Sequence, residues 1–248
     1  MKPKKILIPC KMCIDYNVAI RIKPDGSGIN TDQVKMSMNP FDAIAVEAAV
    51  QLNEQGIVDD ICLIHIGPKE SEAMLRYGLA LGAHRAIHIE SEAMPEPFHV
   101  AQIIKSYASH YDCILMGKLA IDGDHSQVGS LLAGMLEWPQ ATCASNIDFR
   151  DDHAIIECEV DSGIQVKKTL LPAVITTDLR LNEPRYATLP NIMKARQKPI
   201  ERFPISQLSH SLEQHTIITY TGEPQTRKPG VIAQDWQQFL SLLKEHGL

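Results

Sequence analysis

The sequence predicts an α/β protein: a parallel sheet with helices on both faces, added antiparallel strands and a C-terminal arm. Three observations predict it. Short apolar runs, KKILIPC, DDICLIHIG, HRAIHIE and DCILMG, recur through the first half of the chain. Segments of helical length and periodicity separate them, an alternation that indicates parallel strands joined by crossover helices. From Thr142 the rhythm changes to strand patterns joined by turns at Arg150-Asp151-Asp152 and Ser162-Gly163.

Each element has a local reason. Residues 4–10 form a first strand, and a connection follows whose Asp25-Gly26 suits a hairpin turn. In the first long helix Asn39 is the expected N-cap and Pro40 the first helical residue, where its missing donor costs nothing. Ile44, Ala45, Ala48, Ala49 and Leu52 then share one face. Helices over KESEAMLRYGLALGA, FHVAQIIKSYAS and SQVGSLLAGMLE alternate with the remaining strands. CASNIDFRDD, HAIIECEVDSG and IQVKKTLLPAVITTD read as antiparallel strands that extend the sheet or cap one end, the last containing a buried run, LLPAVITTD. After Lys198 the chain becomes irregular and polar, so the domain is placed at residues 1–198 and the arm at 199–248. The terminal helix AQDWQQFLSLLKEHG carries Trp236, Phe239, Leu240, Leu242 and Leu243. A partner-binding tail and a helix packed on its own domain both fit that pattern.

Composition bounds the function. The 248 residues include 24 basic and 30 acidic side chains, a net charge of −6 that argues against a general nucleic-acid binder. No apolar run reaches the roughly 18 residues of a membrane span. The N-terminus lacks a secretory signal, so a cytoplasmic setting is expected. Six cysteines lie mostly in apolar runs. Cys10 and Cys13 form a CxxC, but no second pair completes the four ligands of a structural zinc site.

Ligands of an open parallel sheet sit beyond the carboxyl ends of its strands. Three segments occupy that place: Ile8-Pro9-Cys10, then Asn39-Pro40-Phe41-Asp42, then Gly117–Gly129 (GKLAIDGDHSQVG). In the third, Gly123 and Gly129 allow tight turns, and Ser126, Gln127, Val128 and Gly129 begin a helix whose free amides and dipole suit a phosphate. Lys118 would assist, and Asp122 and Asp124 would accept ribose or adenine donors. A plain turn with a Ser126 helix cap explains the same residues. His125 reads as a solvated loop histidine, and no nucleophile, base and oxyanion set emerges. The stretch from Asp178 to Ala195 leaves a buried strand and becomes a surface segment punctuated by Pro184 and Pro190. It presents Tyr186, Leu189, Ile192 and Met193 beside Arg185 and Lys194, a mixture suited to docking, although an ordinary helix start fits too.

The strings IDYNVAIRIKPDG, VKMSMNPFDAIAVEAA, GLALGAHRA, EWPQATCAS and LRLNEPRYATLPNIMKA resemble the electron-transfer flavoprotein β-subunit family over most of the chain to about residue 200. The resemblance implies an adenine-nucleotide α-hydrolase-like fold and a heterodimer with an α subunit that holds most of one FAD. It also implies electron flow from acyl-CoA and related dehydrogenases to a quinone oxidoreductase, as in fatty-acid β-oxidation, without catalytic side chains or membrane insertion. AMP bound structurally is the implied second nucleotide. Its contacts fall on Pro9, Asn39, Pro40, Phe41, Asp42, Ile66 and Asp122 through Gly129, which includes Gly123, Asp124, His125, Ser126, Gln127 and Val128. Tyr16 and Phe41 match aromatic positions near the partner's flavin. Leu189 matches the leucine that anchors dehydrogenases, with Lys194 beside it and Arg185 as a further charged neighbour. One departure matters: the usual loop resembles GKQAIDDDxNQTGQ, whereas GKLAIDGDHSQVGS is closer to bifurcating and nitrogen-fixation-associated relatives. Leu119, Gly123, Ser126 and Val128 replace side chains expected near the nucleotide, and the missing hydroxyl at Val128 removes a donor worth about 1–2 kcal/mol. AMP is the expectation, with a second FAD as the alternative. A stand-alone nucleotide-binding regulatory protein is the third reading.

Overall fold

Apolar runs with no polar alternation are the mark of strands covered on both faces, and four of them build the centre of the sheet. The computed structural model describes residues 3–208, 213–223, 226 and 229–245. The chain divides into two compact units: Met1–Ala19 with Thr31–Ile217, and Ile20–Asn30 with Ile218–Leu248.

In the larger unit, β1 (Lys5–Pro9) leads through a small hairpin, β2 (Met12–Ile14) with β3 (Met36–Met38), into helix α1 (Pro40–Glu54). Then follow β4 (Asp60–Gly67), α2 (Glu72–Leu81), β5 (Arg85–Glu90), α3 (Pro97–Ala108), β6 (Cys113–Gly117) and α4 (Val128–Leu136). Beyond them lie β7 (Gln140–Phe149), β8 (His153–Val160), β9 (Gly163–Leu170), β10 (Ala173–Thr177), α5 (Leu189–Ala195) and β11 (Ile200–Pro204). The nine-stranded sheet has the order β11-β5-β4-β1-β6-β10-β7-β8-β9. It is parallel from β11 to β7 and antiparallel across β7, β8 and β9.

Helices cover both faces, as the sequence predicts. Ala45, Ala49, Leu75 and Leu79 of α1 and α2 pack with Ile6, Ile8 and Leu63 on one side. Ile103, Ile104, Leu132 and Ala133 of α3 and α4 pack with Leu7, Ile64 and Ile114 on the other. The chain steps from β1 to β4 and β5 in one direction, then returns to β6 on the other side of β1. The crevice beyond β1 and β6 is therefore the topological switch point, where such sheets take ligands.

Two expectations need correction. IQVKKTLLPAVITTD is not one antiparallel strand: it breaks at the cis Leu171-Pro172 bond, and its second half, β10, inserts parallel between β6 and β7. Its full burial gives the reason, since every residue of Ala173–Thr177 is inaccessible. The polar stretch after Lys198 also begins with order, because β11 pairs in parallel with β5. Only one of its residues, Ile200, is buried, so hydropathy carries no signal for it.

The smaller unit contains the expected turn. An antiparallel bridge joins Ile22 and Ile29 around Gly26, whose carbonyl accepts from Thr221 N–H at 3.0 Å. It also contains helix α6 (Trp236–Glu245), capped by Asp235 through the Gln238 amide at 2.7 Å, with no buried residue of its own. His246 and Gly247, the end of the predicted terminal helix, lie outside the described residues.

Close approach explains one of the loop glycines. A Cβ on Gly129 would lie 2.6 Å from Thr176 Cγ2, so the first turn of α4 rests directly on β10. Gly129→Ala is expected to cost about 1–3 kcal/mol through overpacking, read as a lowered urea midpoint with an unchanged slope.

Candidate functional site at the switch point

Three chain segments meet at the carboxyl ends of β1 and β6, and one side chain joins them. Asp42, in the first turn of α1, is buried, and its carboxylate accepts the backbone N–H of Lys11 at 2.8 Å and of Gly117 at 3.1 Å. A Cβ on Gly117 would fall 2.4 Å from that carboxylate. Thr177 Oγ1 adds a bond to Phe41 O at 3.1 Å, tying β10 to the same helix end.

Asn39 is one residue outside α1, as predicted, but its side chain makes no cap. Its amide reaches across instead, donating to Leu119 O at 2.7 Å and accepting from Ile121 N–H at 3.2 Å. The loop after β6 is thereby held against α1 by two bonds that no local pattern announces. Lys11 completes the arrangement with an ion pair to Asp122 at 2.7 Å.

The loop from Asp122 to Gln127 is exposed, and its backbone differs from the expected one. Left-handed φ values of 51° and 53° fall on Asp124 and Ser126, and Gly123 has none. Ser126 therefore stands outside the helix, which starts at Val128. Leu131 N–H is the first helical donor to find an acceptor, Gln127 O at 3.0 Å, and no side chain caps the end. The amides of Val128, Gly129 and Ser130 have no intrahelical acceptor, as at any helix start. The left-handed Ser126 is followed by the right-handed Gln127, a pairing of the kind found where successive amides face an anion.

The cations beside this cradle are already used. Lys118 pairs with Asp178 at 2.7 Å and lies 5.3 Å above the Phe41 ring, so it braces β10 rather than standing free for a phosphate. Phosphate recognition here would fall to backbone donors and the α4 dipole. That donor set fits a nucleotide phosphate and does not depend on the hydroxyl that Val128 lacks.

Pro9 ends β1 in this cluster, and Ile66 is buried near the end of β4. Beneath Cys10, unforeseen from sequence, lies His65: its Nδ1 is 2.8 Å from Cys10 O, and its Nε2 has no partner among the described residues. Tyr16 is 72% exposed on a turn pinned by Asp15, which accepts from Asn17 N–H at 3.0 Å and pairs with Lys35 at 2.6 Å. Cys10 and Cys13 are free thiols, and no cluster suited to a metal occurs among the described residues. No helix among them is long and apolar enough to cross a membrane.

The Asp178–Ala195 segment lies along the same helix α1. Asn182 donates to Ile44 O at 3.0 Å. The Arg185 guanidinium grips Glu47 through Nε at 2.8 Å and Nη2 at 3.0 Å, and binds Glu54 as well. Burial works to raise the Glu47 pKa, but the bonds from Arg185 and Gln51 override it and leave the carboxyl below its usual range. Thr188 Oγ1 caps α5 through the Asn191 amide at 3.4 Å. At the far end Arg76 donates to Ala195 O at 2.9 Å and Lys198 O at 2.7 Å, and Lys198 Nζ donates to Leu79 O and Ala83 O. Between these two anchors Tyr186, Leu189 and Met193 are 91%, 72% and 53% exposed, and Lys194 is exposed beside them. Arg185, expected as a charged neighbour of the anchor, directs its guanidinium to Glu47 and Glu54 while its side chain stays 34% exposed.

Fold and site together define an open, doubly wound α/β protein with a crevice at its switch point, beside the start of α4, and a braced apolar loop. The electron transfer flavoprotein domain family matches residues 27–208. The chain is 45% identical over 242 residues to the electron transfer flavoprotein subunit beta of Bradyrhizobium diazoefficiens, covering 97% of both chains. It is 44% identical to the mitochondrial subunit beta of Arabidopsis thaliana, again with 97% coverage of both. With the human subunit beta it shares 43% identity, covering 100% of this chain and 99% of the other. The chain belongs to the electron transfer flavoprotein family, on its β-subunit side.

Two buried groups give the site an unusual pH response. Burial pushes the Asp42 carboxyl up to about 7 from 3.8, against the pull of the Lys11 amide, Asn39 and the Gly117 amide. Burial pulls His65 down to about 4 from 6.5, partly offset by the Cys10 carbonyl. Folded Asp42 holds more protons than unfolded, so its contribution to stability declines as pH rises from about 4 to about 7. Folded His65 holds fewer, so its contribution grows from about pH 4 to about 6.5. In urea titrations across this window, the slope of stability against pH should be more positive than the parent's for Asp42→Asn and more negative for His65→Gln. Profiles parallel to the parent's would contradict both assignments.

Proposed function

We propose that this chain is the β subunit of a heterodimeric electron-transfer flavoprotein, an electron carrier without catalytic side chains of its own. It accepts electrons from flavin dehydrogenases of the acyl-CoA dehydrogenase type and passes them to a quinone oxidoreductase, in a cytoplasmic setting. The observation that carries this reading is Leu189, an apolar side chain held out to solvent by a loop fastened at both ends. A single anchor with charge beside it, here Lys194, suits brief docking, because binding energy concentrates in few residues.

FAD, held mainly by the α subunit, supplies the redox chemistry, and Tyr16 and Phe41 lie on the side that helps enclose it. Pro9, Asn39–Asp42, Ile66 and Asp122–Gly129 hold AMP, whose phosphate rests on the open amides of α4. The arm, with Trp236, Phe239 and Leu240 exposed on α6, packs on the α subunit. A specific observation favours a second reading: Gly123, Ser126 and Val128 leave a loop that binds through backbone alone, which a second FAD in a bifurcating relative would also satisfy.

Acid extraction of the co-expressed heterodimer separates the two readings: AMP with one FAD supports the first, and two FAD with no AMP supports the second. Leu189→Ala should lower electron acceptance from an acyl-CoA dehydrogenase about tenfold or more, as expected for a lost binding anchor, with FAD content unchanged. Equal rates for variant and parent would overturn the docking assignment.

A further inference from the structure

We propose that Arg185 is the positioning residue of the docking loop, acting through Leu189 and touching no partner itself. The inference rests on the docking role proposed above for Leu189. It begins from geometry. Arg185 stands four residues before Leu189, and its guanidinium faces α1, where Glu47 takes both Nε and Nη2 while Glu54 takes Nη1 and Nη2. Its backbone N–H also donates to Glu47, at 3.2 Å, so side chain and main chain are fixed to one carboxylate.

Glu47 is buried to 3% exposure in the middle of α1, so the anchor point does not move with the surface. Glu54, about two turns further along the same face of the helix, stops rotation of the guanidinium plane. A planar fork between two carboxylates specifies direction as well as distance, which a lysine ammonium cannot do. The next residue, Tyr186, is already 91% exposed, and Thr188 then starts α5 with Leu189 at its first position. The path from anchor to exposed apolar side chain is thus four residues long; within it only Ala187 touches the core, as a partly buried side chain, and the next fully buried residue is Ala195. Without the fork, the near end keeps the Asn182 bond to Ile44 O, the main-chain bond to Glu47 and the packing of Ala187, none of which fixes the direction in which the loop leaves α1.

A loop ordered before encounter loses less entropy on binding, so removing its brace weakens docking while leaving electron transfer within the docked complex intact. The test uses the FAD-loaded heterodimer, with an acyl-CoA dehydrogenase and its substrate as donor. Arg185→Ala and Arg185→Lys should each raise the KM for the dehydrogenase pair about tenfold with little change in kcat, and leave FAD content unchanged. Both should speed amide hydrogen exchange in residues 184–192. Adding Arg185→Ala to Leu189→Ala should raise KM no further than about twofold, because the two changes share one pathway. Fully multiplicative effects, or unchanged exchange in 184–192, would overturn the positioning role. Should Arg185→Ala not fold, Arg185→Lys and Glu54→Gln carry the same readouts. If Leu189→Ala alone leaves KM unchanged, the docking role itself fails, and this inference with it.

Discussion

The buried Asp42 carboxylate is the joint on which the rest of the structure depends. Strands β1 and β6 end side by side with amides directed at the same space, and a helix must begin there. One carboxylate satisfies Lys11 and Gly117 together and fixes the N-terminus of α1 over the switch point. The tightness of the joint leaves no room for a Cβ at Gly117. Burying such a group has an electrostatic cost, visible in a carboxyl pushed up to about 7. Helix α1 then carries that position outward: Asn39 steadies the loop after β6, Ile44 O receives Asn182, and Glu47 and Glu54 receive Arg185.

Electrostatics around the crevice follow from the same economy. Lys11 and Lys118 stand nearest to it, yet each is neutralised by an aspartate. What remains positive is the open end of α4 and the left-handed turns before it. Recognition built on main-chain donors depends on loop path more than on side-chain identity.

Much of the fold was legible in the sequence. Buried parallel strands and amphipathic helices announce themselves by period, and Pro40 marks the start of α1. The candidate site segments were legible too, because the ends of strands in an open sheet are where ligands go. The failures share a cause. Asn39 has the residue type of a cap, but its amide is recruited by Leu119 and Ile121, about eighty residues away. Gly123 was expected to allow the tight turn, but the left-handed conformations fall on Asp124 and Ser126. β11 carries almost no buried surface and is held by its ladder to β5, and a ladder leaves no mark in hydropathy.

By itself, then, the sequence determined most of the strands and helices, that the sheet is mostly parallel, and that Leu189 lies on a surface segment. These are short-range matters of apolar spacing, backbone preference and turn chemistry. Only the tertiary structure decided that Arg185 faces inward to Glu47, that Lys118 serves Asp178, and that β10 enters the sheet beside β6. In each of these the partners lie tens of residues or more apart along the chain. A charged side chain chooses between solvent and a buried counter-charge only once the fold has brought that counter-charge within reach.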